Sequence, residues 1–197
     1  MQLIQENPDL PAYLAADEVV DHQHPLVREI AGRLAAQAVD SYVYAQAAYE
    51  FVRDAIPHSA DSGDMRVTWR ASDVLEQGTG ICHAKAHALA ALLRAEGIPT
   101  ALCYQRLTHD AGSGHCVHGL VAVRFDGKWH RQDCRGNKPG VDARFSLAGE
   151  RLAFSPDGES NEMDYPVLYA APHPVVLSAM KSAPDRPHLW ENLPDAL

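Results

Sequence analysis

The spacing of apolar residues divides the chain into a helical first half and a strand-rich second half. Apolar positions three and four apart predict helices over residues 25–36, 42–56 and 81–96. Pro25 suits the first turn of the first helix, and Asp40 and Ser41 can cap the second. Pro57 ends the second helix, and Gly97 followed by Ile98 and Pro99 ends the third. A short helical turn capped by Ser72 is predicted over residues 72–76.

After Pro99 the pattern becomes that of β-strands, predicted over residues 100–107, 116–125 and 128–133. Asp126 and Gly127, between the last two, form the dipeptide favoured in two-residue type I′ hairpins. Helices followed by antiparallel strands give an α+β fold.

The remaining segments carry weaker patterns. We predict an irregular or partly extended lead-in over residues 1–24, a loop over 57–71 and a polar loop over 108–114. Short strands are predicted over 145–147 and 152–154, a turn over 156–158, a helix over 173–181 beginning near Pro174, and an extended tail over 184–194.

Composition limits the class of protein. With 197 residues, of which 46% are hydrophobic and 22% charged, the chain is long enough for a single globular domain with a large core. The net charge of −9 argues against a general nucleic-acid binder or a binder of anionic membranes. We find no apolar stretch long enough to cross a bilayer and expect no secretory signal.

Four scattered cysteines do not form a disulfide scaffold in a chain of this length, which predicts a reducing, cytoplasmic location.

Cys82 is the first candidate for chemistry. It follows the glycine-rich turn Gly78-Thr79-Gly80 and falls in the first turn of the predicted helix over 81–96. Unpaired backbone N–H groups and the positive end of the helix dipole favour a thiolate over a thiol there. The sequence therefore predicts a nucleophile at Cys82.

A cysteine nucleophile requires a base and a group that orients the base, and the predicted hairpin supplies both. If Asp126-Gly127 is a two-residue loop, Phe125 pairs with Lys128. Each residue further back along the first strand then pairs with one residue further forward along the second. His118 and Asp133 then share a face of the sheet as diagonal neighbours.

These residues and their order resemble the transglutaminase-like superfamily of papain-like Cys-His-Asp enzymes. The resemblance extends over residues 25–135 and includes three further segments: Tyr49 to Pro57, Ala71 to Glu76, and Leu92 to Ala101. It implies one transglutaminase-like domain over residues 1–197, with a core of about 25–135 and a C-terminal extension over 136–197. It also implies N-terminal helices and a cysteine helix packed on an antiparallel sheet.

The resemblance implies acyl-enzyme chemistry. Cys82 would attack an amide or peptide carbonyl as thiolate, His118 would act as base and acid, and Asp133 would orient His118. The backbone N–H of Cys82 would bind the oxyanion, with Trp69 or Gln77 as the second donor. Substrates would be peptides, proteins or small amides, without a cofactor. Hydrolysis and transfer to an amine both remain open, with hydrolysis favoured.

Two other classes of protein compete with this interpretation. A non-catalytic binding module could keep the same fold. A zinc protein could use His83 and His87, which lie four apart on a helix, together with Cys82 and Cys116. No Asp-x-Asp-x-Asp-Gly calcium loop is present in the sequence.

Overall fold

The computed structural model describes residues 1–109, 114–156, 158 and 160–197. Within these residues the helices are a 3₁₀ helix over Leu10–Leu14 and seven α-helices: α1 (Pro25–Ala35), α2 (Ser41–Ala55), α3 (Ser59–Ser62), α4 (Ala71–Gln77), α5 (Cys82–Ala95), α6 (Pro174–Ser182) and α7 (Arg186–Glu191). The strands are β1 (Ile4–Gln5), β2 (Thr100–Thr108), β3 (His115–Phe125), β4 (Lys128–Gln132), β5 (Met163–Asp164) and β6 (Val167–Leu168).

The helix that begins at Cys82, α5, is the centre of the fold. Every residue from Cys82 to Arg94 is buried. The helix packs against α1, α2 and α4 and against β2 and β3. Because alanine occupies six of its fourteen positions, neighbouring elements can approach it closely from all sides. The predicted α+β arrangement, with the cysteine helix packed on an antiparallel sheet, is confirmed.

The main sheet has the strand order β4-β3-β2-β5, and each pair of adjacent strands is antiparallel. Asp126 and Gly127 both have positive φ angles, 48° and 76°, as a type I′ turn requires. Phe125 pairs with Lys128 and Val121 with Gln132. The predicted register is therefore confirmed, although β4 ends at Gln132, one residue before Asp133.

Gly119 allows α5 to lie directly against β3. A Cβ atom at this position would lie 2.6 Å from Cδ2 and 3.0 Å from Cα of His83, distances that are too short for real side chains. The first turn of α5 thus reaches the strand next to His118. This close approach brings Cys82 and His118, 36 residues apart in sequence, into one region.

Several local predictions are confirmed. Asp40 caps α2, since its Oδ1 accepts a hydrogen bond from the Val43 N–H at 2.8 Å. Helix α6 begins at Pro174 as predicted. Within the described part of the chain, none of the helices has both the length and the apolar character needed to cross a membrane.

Other local predictions are wrong. Ser72 does not cap α4: the helix begins one residue earlier, and the Ser72 N–H donates to Asp21 Oδ1 at 3.0 Å. Residues 145–147 and 152–154 are not strands. Main-chain atoms of Ser146 bond to the side chain of Gln132, and the Ala153 N–H donates to Asp133 Oδ2. The structure instead has the short strands β5 and β6 in this part of the chain, which the sequence pattern did not indicate.

The C-terminal segment is not the extended tail that its prolines suggested. It contains α7, which Asp185 caps through a 2.8 Å hydrogen bond from the His188 N–H. Leu189 of this helix is buried in the core. The predicted loop over 108–114 and the predicted turn over 156–158 lie partly outside the described residues.

Candidate active site

Cys82 is the first residue of α5 and is 7% exposed. The preceding turn is held close to the helix: a Cβ atom at Gly80 would lie 2.8 Å from Ala84 Cβ and 3.0 Å from Thr68 Oγ1. The N-cap residue of α5, Ile81, makes no capping hydrogen bond through its side chain, so the first backbone N–H groups of the helix are directed at the region around the cysteine. The position favours an anion at Cys82.

His118 and Asp133 are brought together as predicted. His118 Nε2 lies 2.8 Å from Asp133 Oδ2, and the Asp133 side chain is fully buried. The carboxylate also accepts hydrogen bonds from two backbone N–H groups, Arg135 at Oδ1 (3.0 Å) and Ala153 at Oδ2 (3.1 Å). Three donors therefore fix the carboxylate, which in turn fixes the plane of the imidazole.

Neighbouring aromatic residues hold this pair in place. The Tyr49 hydroxyl donates to the backbone carbonyl of Asp133 at 2.7 Å, which ties α2 to the segment after β4. The ring of Phe154 meets the His118 ring edge-on, with centroids 5.1 Å apart. Packing thus restricts the rotation of the imidazole that Asp133 orients.

The charges around Cys82 favour an ion pair. Burial alone would raise the pKa of the Cys82 thiol, but His83, His118 and His58 together hold it well below its usual range. Burial alone would lower the pKa of His118, but the Asp133 carboxylate and Cys82 raise it to about 10. Opposite shifts in two interacting groups describe a thiolate–imidazolium pair.

Cys82 and His118 line the same cavity, which has a volume of about 200 Å³. Apolar side chains of β2, of β3, of the segment after β4 and of the C-terminal segment form much of its wall. They include Leu107, Val117, Phe154, Trp190 and Leu193. The C-terminal segment is attached to β3 here, because the carbonyl of Pro194 accepts a 2.8 Å hydrogen bond from the Val117 N–H. The cavity is thus a small, mainly apolar site beside a buried thiol.

The two oxyanion candidates from the sequence, Trp69 and Gln77, are not among the residues that line this cavity. The Trp69 ring contacts the cations of Arg70 (4.8 Å from the ring centroid) and Lys181 (4.6 Å). Gln77 is exposed at the end of α4. The structure does not bring either side chain to the thiol.

Two other histidines do approach Cys82. His83 Nδ1 lies 3.4 Å from Cys82 Sγ, and His58 lines the cavity. The sequence pattern offered no sign of His58, which stands in a predicted loop. The sequence suggested a role for His83 only as a zinc ligand together with His87.

The side chains of His83 and His87 interact with different groups. His87 Nδ1 lies 2.8 Å from the backbone carbonyl of Trp69, and burial lowers the pKa of His87 to about 4. Among the residues that the structure describes, no three His, Cys, Asp or Glu side chains are grouped so as to hold a metal ion.

The depressed pKa of Cys82 leads to a testable pH dependence. Alkylation requires the thiolate, and an ordinary cysteine with a pKa of about 8.5 loses close to tenfold in rate per pH unit below neutrality. For Cys82, whose thiolate persists as the pH falls, we expect the rate with iodoacetamide to change by less than about twofold between pH 8 and 6. Peptide mapping of the Cys116→Ala variant, which lacks the other cavity thiol, assigns the label. A tenfold fall per pH unit at Cys82 would contradict the ion pair.

A family model matches this arrangement. The model of the transglutaminase-like superfamily core matches residues 28–134, a range that contains Cys82, His118 and Asp133. The chain therefore belongs to the transglutaminase-like superfamily.

A solved structure shows the same fold. A candidate cysteine protease from Cytophaga hutchinsonii is 18% identical, with a TM-score of 0.55 over 66% of this chain and 43% of that chain. A structure described as a TGase is 20% identical, with a TM-score of 0.41 over 65% of this chain and 34% of that chain. The chain thus spans less than half the length of either protein. A comparison with curated proteins gave no significant match.

Proposed function

We propose that this protein is a cysteine-dependent enzyme that forms an acyl-thioester on Cys82 from an amide or peptide carbonyl compound. The observation that carries this proposal is the 2.8 Å contact between His118 Nε2 and Asp133 Oδ2, in a cavity that His118 shares with Cys82. A nucleophile, a base and a buried orienting carboxylate in one place are the requirements of covalent acyl transfer.

Each residue has a role in this reaction. The Cys82 thiolate attacks the carbonyl carbon, and the negative charge that develops on oxygen lies near the free N–H groups at the start of α5. His118, charged in the resting pair, donates its proton to the leaving amine as the tetrahedral intermediate collapses to the thioester. Asp133 accepts a hydrogen bond from the Nε2–H of His118. Nδ1 of His118 is then available to the thiol and the substrate.

The second half of the reaction depends on the acceptor. Water gives hydrolysis, as in a peptidase or amidase, and an amine gives transfer of the transglutaminase type. Both start from the same thioester. We favour hydrolysis of a peptide, protein or small amide, and we propose no cofactor, nucleic-acid partner or membrane partner. No disulfide joins the cysteines in the described part of the chain, in keeping with the cytoplasmic location that we propose.

An activated ester tests the proposal without knowledge of the natural substrate. p-Nitrophenyl acetate can acylate a reactive thiolate directly, and release of p-nitrophenolate reports each acylation. We expect a burst of about one equivalent, followed by slower turnover, and an acetyl adduct on Cys82 in the mass spectrum of the quenched enzyme.

Added hydroxylamine separates the two outcomes for the thioester. Acetohydroxamate formed in competition with acetate indicates that amines reach the acyl-enzyme, whereas acetate alone indicates hydrolysis. Absence of any Cys82 adduct, with the protein folded, would contradict the proposal and favour a binding module on the same fold.

A further inference from the structure

His58 is held next to the nucleophile by backbone pairing between two distant segments. It pairs in parallel with Gly80, two residues before Cys82, and the N–H of Ser59 donates to the Gly80 carbonyl at 3.1 Å. The side chain is 4% exposed and lines the cavity together with Cys82 and His118. It therefore reaches the thiol from a different element than His118, which lies on β3.

The buried helix α5 also fixes the segment that carries His58. Lys85, one turn after Cys82 and fully buried, donates to the carbonyls of Arg53 (3.1 Å) and Ile56. The edge of the Trp190 ring lies against the His58 ring, with centroids 6.1 Å apart. The imidazole is thus restrained both through its backbone and through its ring.

The surroundings of the ring define its protonation. His58 Nδ1 is buried and has no hydrogen-bond partner among the described residues, while the ring lines the cavity beside Cys82 and helps to lower the pKa of the Cys82 thiol. A charged imidazole would bury an unpaired N–H at Nδ1, which is costly. The neutral form with its proton on Nε2 instead directs a donor at the thiolate and leaves only a lone pair at Nδ1.

The charged groups that face His58 are consistent with this assignment. Burial lowers the pKa of His58 and outweighs the opposing effect of the neighbouring Cys82, and Arg135 adds to the lowering. Asp61, which has the opposite effect on His58, is engaged by Arg135 through two hydrogen bonds of 2.6 and 3.0 Å. The site thus raises the pKa of one histidine, the charged His118, and lowers the pKa of another, the neutral His58. Such an arrangement lets one group act as acid and base and the other as a hydrogen-bond donor.

We propose that His58 is a catalytic residue that donates its Nε2–H to the oxyanion formed when Cys82 attacks a carbonyl. This inference rests on the acyl-enzyme function proposed above. As the bond between Sγ and carbon forms, the carbonyl π electrons move to oxygen, which accepts hydrogen bonds from the Cys82 backbone N–H and from His58. When the C=O bond re-forms, the leaving group departs with a proton from His118, and His58 keeps its own proton.

A pair of variants of similar size isolates this donor. His58→Gln keeps an N–H donor on a side chain of comparable length, whereas His58→Met fills similar space without one. We expect acylation by p-nitrophenyl acetate to fall about 10²- to 10³-fold in His58→Met, the effect of removing one oxyanion donor. In His58→Gln it should remain within about tenfold of wild type.

Alkylation of Cys82 by iodoacetamide is the discriminating readout, because this reaction forms no oxyanion. Its rate should change by less than about threefold in both variants, since His83 and His118 still lower the pKa of the thiol. His130→Met makes a comparable change at a half-buried residue of β4 outside the cavity, and should leave both rates unchanged.

Two outcomes would overturn the inference. Equal acylation rates in His58→Met and wild type would exclude His58 from catalysis, and parallel losses of acylation and alkylation would restrict it to positioning the thiolate. Circular dichroism verifies folding, and the isosteric pair His58→Asn and His58→Leu repeats the comparison if the first pair does not fold. Lack of acylation in the wild type would instead contradict the proposed function itself.

Discussion

The Cys82→Ala variant is expected to lose acylation by p-nitrophenyl acetate completely while remaining folded. The change removes the sulfur atom that attacks the carbonyl, and loss of the nucleophile in a comparable triad enzyme costs roughly 10⁶-fold in kcat. Rapid labelling by iodoacetamide near pH 6 should disappear with it, because burial raises the pKa of the Cys103 and Cys134 thiols and peptide mapping separates any label on Cys116. The measurements are the p-nitrophenolate burst and the mass of the labelled protein.

Cys103→Ala is the matched control for this variant. Cys103 is fully buried in the sheet and does not line the cavity, and burial raises the pKa of its thiol. The control should therefore keep both the burst and the fast labelling. If Cys82→Ala retained the burst, the acyl group would be carried by another residue, and the triad assignment would be wrong.

The Asp133→Asn variant is expected to lose up to about 10⁴-fold in kcat, the effect of the same change in a Ser-His-Asp enzyme. Both oxygens of Asp133 accept hydrogen bonds, Oδ1 from the Arg135 N–H and Oδ2 from His118 and the Ala153 N–H. An asparagine side chain must direct its NH₂ group at one of these sets of donors. It therefore releases His118 or leaves a buried N–H unpaired.

Unfolding in urea provides the second measurement for this variant. A buried donor without a partner lowers the free energy of unfolding by about 1–3 kcal/mol. Asp142→Asn makes the same chemical change at an exposed residue that pairs with Arg144 and Arg151, and we expect it to alter neither activity nor stability measurably. Wild-type activity and stability in Asp133→Asn would show that the carboxylate does not orient His118.

The sequence was sufficient to predict the central helix, the hairpin and the pairing of His118 with Asp133. These features follow from local rules: the Asp126-Gly127 turn sets the register, and the register decides which side chains are neighbours. The start of α5 was equally accessible, because the glycines before Cys82 and Gly97 after the helix mark its ends. The strongest predictions thus came from short-range constraints.

The position of His58 could not be predicted in this way. It depends on a parallel bridge to Gly80, which joins segments 22 residues apart through backbone atoms alone. The failure of Trp69 as an oxyanion candidate has a similar origin, since the cation that holds one face of its ring, Lys181, comes from a distant helix. Strands β5 and β6 have two residues each, too few for a recognisable alternation.

The complete burial of α5 has a consequence for the robustness of the site. Hydrogen bonds in the best-protected element of a domain open mainly when the whole domain unfolds. Since the helix that begins at Cys82 is enclosed by three helices and two strands, its first turn has little freedom to open by itself. The thiol is therefore preorganised before any substrate arrives, and the geometry of the nucleophile is as durable as the fold.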